Sequence, residues 1–277
     1  MNVQPQHVII TGGSSGIGKA TGQLLASQGA NLSLIARDPA KLERAKAEIL
    51  QRCVTVNPQI NPKIFTVSAD VSDRHQATTA IETAIAHQGA PDILITSAGI
   101  AHPGYFQALP TDIFEQTMAI NYFGTLYCIK AALPAMQQQQ RGHIVLISSG
   151  AGLVGIYGYT SYSPSKFALR GLAEALRGEL KPIGIRVAIV YPPDTDTPQL
   201  AAENLTKPPE TKQITATAEV WSADAVAQKI VQGIQKNQFA IAPGSEMQIL
   251  NRFHSLLNPV LHKYFDSLVT KVRNQNP

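Results

Sequence analysis

The chain has 277 residues, of which 44% are hydrophobic and only 15% charged, and its formal net charge is +4. A chain of this length can bury a large core, and this composition excludes a disordered protein. No dense run of Lys and Arg occurs, so we expect no nucleic-acid partner; a mildly basic balance suits an anionic ligand or an anionic membrane nearby.

The sequence indicates neither a targeting segment nor a metal site. Residues 1–5 lead directly into a strand-like segment, without the basic and apolar regions of a signal peptide. No apolar run reaches the roughly 18 residues of a membrane-spanning helix. Cys53 and Cys128 are far apart and lack metal-ligand spacing. We therefore expect a cytoplasmic protein that is not secreted, with no metal and no disulfide framework.

Short apolar runs alternate with longer helical runs along the chain. Strands are predicted at 7–11, 31–36, 63–68, 92–96, 143–148, 186–191 and 239–242. Helices are predicted at 17–28, 40–52, 114–136, 163–181 and 223–236. This alternation predicts an α/β fold, a doubly wound Rossmann-type parallel sheet of about seven strands flanked by helices.

Two segments depart from this alternation. Residues 192–219 are rich in Pro, Thr and charged residues and are too long for a simple connection, so we expect a lid over a substrate site. Residues 1–244 then form a single domain that includes this lid, and residues 245–277 form a C-terminal amphipathic helical extension.

The turn after the first predicted strand is rich in glycine and serine. Glycine lets the chain turn sharply and lets the backbone approach a pyrophosphate. The helix that follows offers free N–H groups and its positive dipole end to phosphates. Because strand, glycines and helix come in this order, a dinucleotide site is favoured over a structural turn. The candidate cofactor-binding residues here are Thr11, Gly12, Ser14, Ser15, Gly16, Ile17 and Gly18.

The second predicted strand is followed by Arg37 and Asp38. An acidic residue closing this strand favours NAD, whereas a guanidinium suits the 2′-phosphate of NADP. A charge-assisted contact of roughly 1.5–3 kcal/mol gives a ten- to hundredfold preference for NADP. Two roles are open for Asp38: it pairs with Arg37, or it begins the next helix.

Tyr162 and Lys166 are four residues apart in a predicted helix, so their side chains share a face. A free tyrosine has a pKa of about 10, and a nearby ammonium together with an oxidised nicotinamide favours the phenolate. Tyr162 is therefore the candidate acid for reducing a ketone. Ser148 and Ser149 end a strand at the ligand-binding edge, where a hydroxyl stabilises developing negative charge. Alone, such a Tyr/Lys pair is an ordinary surface pair; the combination indicates catalysis.

These residues resemble the classical short-chain dehydrogenase/reductase family. The resemblance covers about residues 6–242, nearly the whole predicted domain. It implies metal-free hydride transfer between NADPH/NADP+ and an alcohol or ketone, and a homo-oligomer, a dimer or tetramer, formed through the helices that hold Asn121 and Tyr162. The catalytic residues that it implies are Asn121, Ser149, Tyr162 and Lys166.

The resemblance also assigns roles around the cofactor. Asn121 holds a water that relays protons from solvent through Lys166 to Tyr162. The positions implied to contact the cofactor, from adenine to nicotinamide, are Asp70, Val71, Ala98, Gly99, Tyr162, Lys166, Pro192, Thr195 and Thr197. Two positions depart from the family pattern: Ser97 replaces an Asn, which loosens a side-chain contact, and Pro193 replaces a Gly, which stiffens the turn.

The run 191–198 (YPPDTDTP), the motifs at 203–204 and 206–208, and the stretch 159–176 resemble the 3-ketosphinganine reductase branch of that family. This implies NADPH-dependent reduction of a ketone on a long-chain lipid, 3-ketosphinganine to sphinganine. Two alternatives remain: a reductase for 3-oxoacyl thioesters or other hydrophobic ketones, and a non-catalytic NADP-binding regulatory protein. An apolar tunnel near 153–158 and the lid favours the lipid, and a basic patch at the mouth favours a thioester.

The C-terminal segment has an apolar stripe at helical spacing over residues 249–272. Opposite the stripe lie mostly basic residues, and Pro259 is expected to kink the helix or divide it. Three placements of this helix remain open. The helix packs on its own domain or a partner subunit, it lies on a membrane surface as a peripheral contact, or it covers an apolar substrate tunnel.

Overall fold

The computed structural model describes residues 6–216 and 218–275. A seven-stranded sheet forms the centre, in the order β3-β2-β1-β4-β5-β6-β9, and each neighbouring pair is parallel. Its strands are β1 (His7–Thr11), β2 (Asn31–Ala36), β3 (Ile64–Ser68), β4 (Ile93–Thr96), β5 (Gly142–Ile147), β6 (Ile185–Val190) and β9 (Ala240–Ile241). A second, two-stranded parallel sheet pairs β7 (Thr195–Asp196) with β8 (Trp221–Ser222).

Helices cover both faces of the central sheet. One face packs against α3 (Arg74–Gln88), α5 (Gly124–Gln138) and α6 (Tyr162–Leu180). The other packs against α1 (Gly16–Ser27), α2 (Pro39–Val56) and α9 (Ala223–Gln235). Because successive residues of a strand point to opposite faces, the neighbours Ile9 and Ile10 enter the two different cores, and both are fully buried. The predicted doubly wound fold is confirmed.

The helix predicted at 114–136 is confirmed, and a π-helical turn interrupts its α-helical hydrogen bonding. It consists of α4 (Thr111–Met118), a π-helical turn (Ala119–Phe123) and α5. A Cβ added to Gly124 would lie 2.8 Å from the Val71 side chain, so this glycine lets the helix approach the end of β3 closely. A π-turn inside a helix is typical of functional positions. Here it contains Asn121, which is fully buried.

Residues 192–219, the predicted lid, contain ordered secondary structure. After β7 they form α7 (Pro198–Thr206) and α8 (Pro209–Thr215). Thr197 caps α7 by accepting the Leu200 N–H on its Oγ1 at 3.2 Å, and Pro198 follows at the first helical position, where its missing N–H costs nothing.

The C-terminal extension is one helix, α10 (Gly244–Gln275), and Pro259 does not divide it. Proline removes a single helical hydrogen bond, and Pro259 lies on an exposed side of the helix. Met247 and Val272 are buried near its two ends. The other edge of the apolar stripe is exposed, at Ile249, Phe253, Leu256, Val260 and Tyr264. Within the described part of the chain, no helix combines the length and apolarity that crossing a membrane requires.

Candidate active site

A cavity of about 210 Å³ lies at the carboxyl edge of the central sheet, between the strand ends and the lid. Parallel sheets of this type bind ligands at this edge, where the strand order reverses. The reversal is between β1 and β4, and the loops after both strands line the cavity.

The glycine turn packs tightly against the loop after β4. Gly12 has φ of +70°, its N–H donates to the Ile35 carbonyl at 2.8 Å, and an added Cβ would lie 2.7 Å from the Ala98 nitrogen. A Cβ on Gly18 would lie 2.5 Å from the Gly12 carbonyl oxygen. Larger residues would therefore push the turn away from α1 and from the cavity.

The turn fits the phosphates of a dinucleotide. Ser15 is the N-cap of α1, its side chain makes no capping hydrogen bond, and the first turn of the helix holds no acidic residue. The first N–H groups of a helix have no intrahelical acceptor, so they are free to bind an anion at the positive end of the dipole. Ser15, Gly16 and Ile17 all line the cavity.

Arg37 and Asp38 have separate roles in the structure. The Asp38 carboxylate caps α2 by accepting the Lys41 N–H at 3.0 Å, so it begins the next helix and does not pair with Arg37. Arg37 is exposed, and no acidic side chain in residues 6–216 and 218–275 forms an ion pair with it. Its guanidinium is therefore available for an anionic group of a ligand.

The other positions assigned to the cofactor lie at neighbouring strand ends. Asp70 accepts the N–H and hydroxyl of Ser72 at 2.9 and 2.7 Å, and Val71 is buried. Thr11 is buried and its hydroxyl lies 3.4 Å from the Ala98 N–H. Of all the predicted site residues, those lining the cavity are Gly12, Ser15, Gly16, Ile17, Ala98, Gly99, Ser149, Tyr162, Lys166, Pro192, Thr195 and Thr197. Those outside its lining are Thr11, Ser14, Gly18, Arg37, Asp70, Val71 and Asn121.

Tyr162 begins α6, and Lys166 follows one turn later on the same face. The Lys166 Nζ lies 5.4 Å from the centre of the Tyr162 ring and donates to the Ile147 carbonyl at 3.0 Å. Ser148 fixes this part of the helix, because its hydroxyl donates to the Lys166 carbonyl at 3.0 Å. Both side chains therefore have fixed positions at the cavity wall.

Burial favours the uncharged forms of Tyr162 and Lys166, so it raises the pKa of the tyrosine and lowers that of the lysine. Burial raises the pKa of Tyr162, the negative charge of Glu203 raises it further, and hydrogen bonds with Ser149 and Gln199 partly oppose this. Burial lowers the pKa of Lys166 to about 8, while Glu203 acts the other way. The protein groups alone therefore raise the pKa of Tyr162. The sequence analysis expected a lower pKa, but that expectation included the positive charge of an oxidised nicotinamide.

Asn121 connects the π-turn to the loop after β4. Its Oδ1 accepts the Ile100 N–H at 2.9 Å, and its Nδ2 donates to the Ile100 carbonyl at 3.0 Å and to the Ser165 hydroxyl at 2.9 Å. A Cβ on Gly99 would lie 3.2 Å from Asn121 Oδ1 and 3.6 Å from Lys166 Nζ. The two side chains therefore meet at the same small space beside Gly99.

Sequence reasoning missed a polar network on the lid side of the cavity. Tyr159 donates from its hydroxyl to Glu203 Oε2 at 2.6 Å, and Gln199 Nε2 donates to Glu203 Oε1 at 2.8 Å. All three residues line the cavity. The spacing of Gln199 and Glu203, four residues within a proline-started helix, was the available signal for a shared face.

The two departures from the expected pattern leave the turns intact. Ser97 donates its N–H to the Thr11 carbonyl at 3.1 Å, which keeps β4 registered on β1. Thr195 donates its hydroxyl to the Pro193 carbonyl at 2.8 Å, closing the turn that Pro193 stiffens. In the described ranges, no group of three His, Cys, Asp or Glu side chains forms a metal-binding cluster.

The fold, the glycine turn and the Ser149, Tyr162 and Lys166 cluster define a class of nicotinamide-dependent oxidoreductase that acts on CH–OH and C=O groups. Residues 6–208 match the short chain dehydrogenase family, and the chain belongs to that family. The solved structure of levodione reductase is similar, with a TM-score of 0.75 and 26% identity, covering 85% of this chain and 93% of that one.

Within the family, the chain belongs to the 3-ketosphinganine reductase branch. It is 42% identical over 255 residues to the 3-ketodihydrosphingosine reductase of Bos taurus, and the alignment covers 92% of this chain and 76% of that protein. It is 40% identical over 277 aligned positions to the 3-ketodihydrosphingosine reductase of Dictyostelium discoideum, covering 96% of this chain and 83% of that protein.

Proposed function

We propose that this protein uses NADPH to reduce the ketone of a long-chain lipid, 3-ketosphinganine, to sphinganine. The observation that carries the proposal is the convergence of Tyr162, Ser149 and Lys166 on one cavity beside the glycine turn. The names of the relatives from Bos taurus and Dictyostelium discoideum supply the substrate.

Tyr162 is the acid of the proposed reaction. When bound, the nicotinamide supplies the hydride that adds to the carbonyl carbon. Tyr162, protonated at neutral pH, donates its proton to the carbonyl oxygen, and the charges of Lys166 and the bound nicotinamide offset the rise in its pKa that burial causes. Ser149 lines the same cavity and lowers the pKa of this phenol, so its hydroxyl lies where it can also bind the carbonyl oxygen as negative charge develops.

Lys166 and Asn121 return the proton. The Lys166 ammonium lies beside the Tyr162 ring and stabilises the phenolate that remains after proton donation. Asn121 approaches the same space next to Gly99, and it holds the water through which Lys166 and Tyr162 are reprotonated from solvent. Neither residue requires a metal for this role.

The preference for NADPH rests on Arg37. Its exposed guanidinium has no acidic partner in the described part of the chain, and the neighbouring Asp38 is engaged in capping α2. A ribose 2′-phosphate forms a charge-assisted contact with such a group, whereas a 2′-hydroxyl does not.

The substrate preference is supported by the lining of the cavity. Ile156, Tyr159 and Leu200 supply apolar surface from the loop before α6 and from the lid. Asp194 and Glu203 also line it, and this acidic character opposes an anionic carrier-linked thioester. The lining therefore disfavours a negatively charged ketone, and the long chain of the proposed substrate rests on the names of the relatives.

The proposal includes a cytoplasmic protein that meets the membrane peripherally through α10. Ile249, Phe253, Leu256 and Val260 are exposed along one edge of this helix, and exposed basic residues flank them at 252, 262 and 263. Co-sedimentation with anionic vesicles tests this contact. A homo-oligomer through α5 and α6 is proposed as well, supported by exposed Phe167 on α6.

The test of the proposed function is NADPH oxidation by the purified protein with 3-ketosphinganine in detergent micelles. A 3-oxoacyl thioester of equal chain length serves as the comparison substrate. The proposal predicts formation of sphinganine at a higher kcat/KM than the thioester product. Turnover of the thioester alone would contradict it, and so would NADPH binding without turnover of either.

A further inference from the structure

Glu203 is a buried carboxylate in the active-site cavity for which hydride and proton transfer provide no role. It lies on α7, is 7% exposed and lines the cavity together with Tyr162. Tyr159 and Gln199 each donate one hydrogen bond to it, one on each oxygen. A carboxylate has about four acceptor positions, so capacity for further donors remains.

The other buried charges of the lid have partners of opposite sign. Lys207 Nζ lies 3.7 Å from Asp194, and Glu210 Oε1 lies 3.6 Å from Arg273 on α10. Glu203 forms no ion pair with any Lys, Arg or His in residues 6–216 and 218–275. A buried carboxylate without a cation is unfavourable, so a cation that arrives with a ligand would be bound at this position.

The position of Glu203 suits a cation next to the reacting carbonyl. Gln199 hydrogen-bonds Glu203, and both residues line the cavity together with Tyr162, whose pKa the charge of Glu203 raises. An amino group on the neighbouring carbon lies about 2.5 Å from a carbonyl carbon. A carbonyl oxygen held by Tyr162 therefore places such an ammonium within the part of the cavity that Glu203 lines.

The same arrangement disfavours ketones without a cation. During reduction Tyr162 loses its proton, and the negative charge of Glu203 opposes the phenolate that forms. A substrate ammonium beside Glu203 offsets that charge. A neutral ketone leaves it uncompensated, and an anionic one adds to it.

We infer that Glu203 is the binding site for a substrate ammonium on the carbon next to the reacting carbonyl, and that it selects amino ketones over neutral or anionic ones. The inference rests on the proposed function and gives the chemical reason for its substrate, since 3-ketosphinganine carries this amine. Tyr159 and Gln199 orient the carboxylate.

The experiment compares 3-ketosphinganine with its deamino analogue, which has the same chain and hydroxyl but hydrogen in place of the amine. The variants are Glu203→Gln and, as the matched control, Glu210→Gln, since Glu210 is buried in the same lid but outside the cavity lining. Glu203→Gln is expected to lower the ratio of kcat/KM for the amino ketone over the deamino ketone by about 10- to 100-fold. Glu210→Gln is expected to leave the ratio unchanged.

A ratio that Glu203→Gln leaves unchanged, while the wild type reduces 3-ketosphinganine, overturns this inference and leaves the proposed function standing. No turnover of either ketone by the wild type overturns both. NADPH binding reports whether each variant folds. If Glu203→Gln does not fold, the wild-type protein with NADP+ should bind sphinganine about tenfold or more tightly than the diol without the amine. Equal affinities would refute the inference.

Discussion

Two parts of the active site hold buried charges in different ways. The floor is formed by the strand ends at the sheet edge and the first turn of α6, and the lid is residues 192–219. On the floor, Lys166 is held by the Ile147 carbonyl and by hydrogen bonds within the sheet edge, with no carboxylate within ion-pairing distance among the described residues. In the lid, Glu210 and Lys207 are held by ion pairs, and Glu203 by a tyrosine and an amide.

This difference suits different roles for the floor and the lid. Groups at the end of β5 hold Lys166, since the Ile147 carbonyl accepts from its Nζ and the Ser148 hydroxyl donates to its carbonyl. The lid consists of two short helices, and its buried charges depend on side chains from separate elements. We therefore propose that the floor carries the chemistry and that the lid selects the substrate. The predictions that follow test this assignment.

The largest effect is expected on the floor. Tyr162→Phe removes the proposed proton donor and should lower kcat by about 10²- to 10⁴-fold, the usual contribution of general acid catalysis. NADPH binding, measured by titration of its fluorescence, should change little. Substantial turnover by this variant would place the acid elsewhere and break the comparison.

A second prediction concerns pH. Burial lowers the pKa of Lys166 from 10.5 to about 8, so the ammonium is lost as pH rises through about 8. The kcat/KM for ketone reduction should fall above that pH, by up to tenfold per unit, in a profile of the wild-type enzyme. Lys166→Arg, which keeps its charge, should flatten the fall. A profile that stays level up to pH 10 would contradict the role of the ammonium.

The same shift has the opposite consequence for stability. The folded pKa of Lys166 is lower than the unfolded one, so between about pH 8 and 10.5 the unfolded chain binds more protons. This residue's contribution to the free energy of unfolding therefore increases with pH across that window. Denaturant unfolding of wild type and Lys166→Met at two pH values checks the sign, since the variant should lack this increment.

Arg37 lies outside the cavity lining, so its substitution tests cofactor preference independently of the floor and the lid. Arg37→Ala should lower kcat/KM for NADPH by about 10- to 100-fold, through loss of the 2′-phosphate contact, and change that for NADH little. Arg44→Ala on the same side of the chain, exposed on α2, is the control and should affect the two cofactors alike. Equal losses for both cofactors in Arg37→Ala would remove the proposed contact.

The smallest effect is expected at the contact between α10 and the lid. Arg273 donates to the Tyr157 hydroxyl at 3.1 Å and pairs with Glu210, but its side chain is 66% exposed. Arg273→Met should increase the rate of limited proteolysis within 192–219 by roughly fivefold at most. Tyr162-dependent reduction of a small soluble ketone should be unaffected. Loss of that activity would mean that the floor depends on the lid.

The sequence predicted the floor well because its signals are local. The strands are short apolar runs, the glycine turn follows β1 directly, and Tyr162 and Lys166 share a face through helical spacing alone. The same order of elements predicts where the cofactor binds, and this stays a prediction.

The lid could not be predicted in the same way. The bond between Tyr159 and Glu203 joins residues 44 positions apart, and no local pattern indicates that α7 lies against the loop before α6. The close approach of Gly124 to Val71 also joins residues that are distant in sequence. The apolar stripe of α10 was visible, but only packing determines that Met247 is buried while Leu256 is 77% exposed.

The most direct test of the central claim is a single turnover with NADPH that carries deuterium at the transferable position. With 3-ketosphinganine as substrate, mass spectrometry of the product should show sphinganine with one added deuterium on the former carbonyl carbon, and Tyr162→Phe should yield almost none. Product without deuterium, or deuterium transfer that persists at the wild-type rate in Tyr162→Phe, would contradict hydride transfer at this site with Tyr162 as the acid.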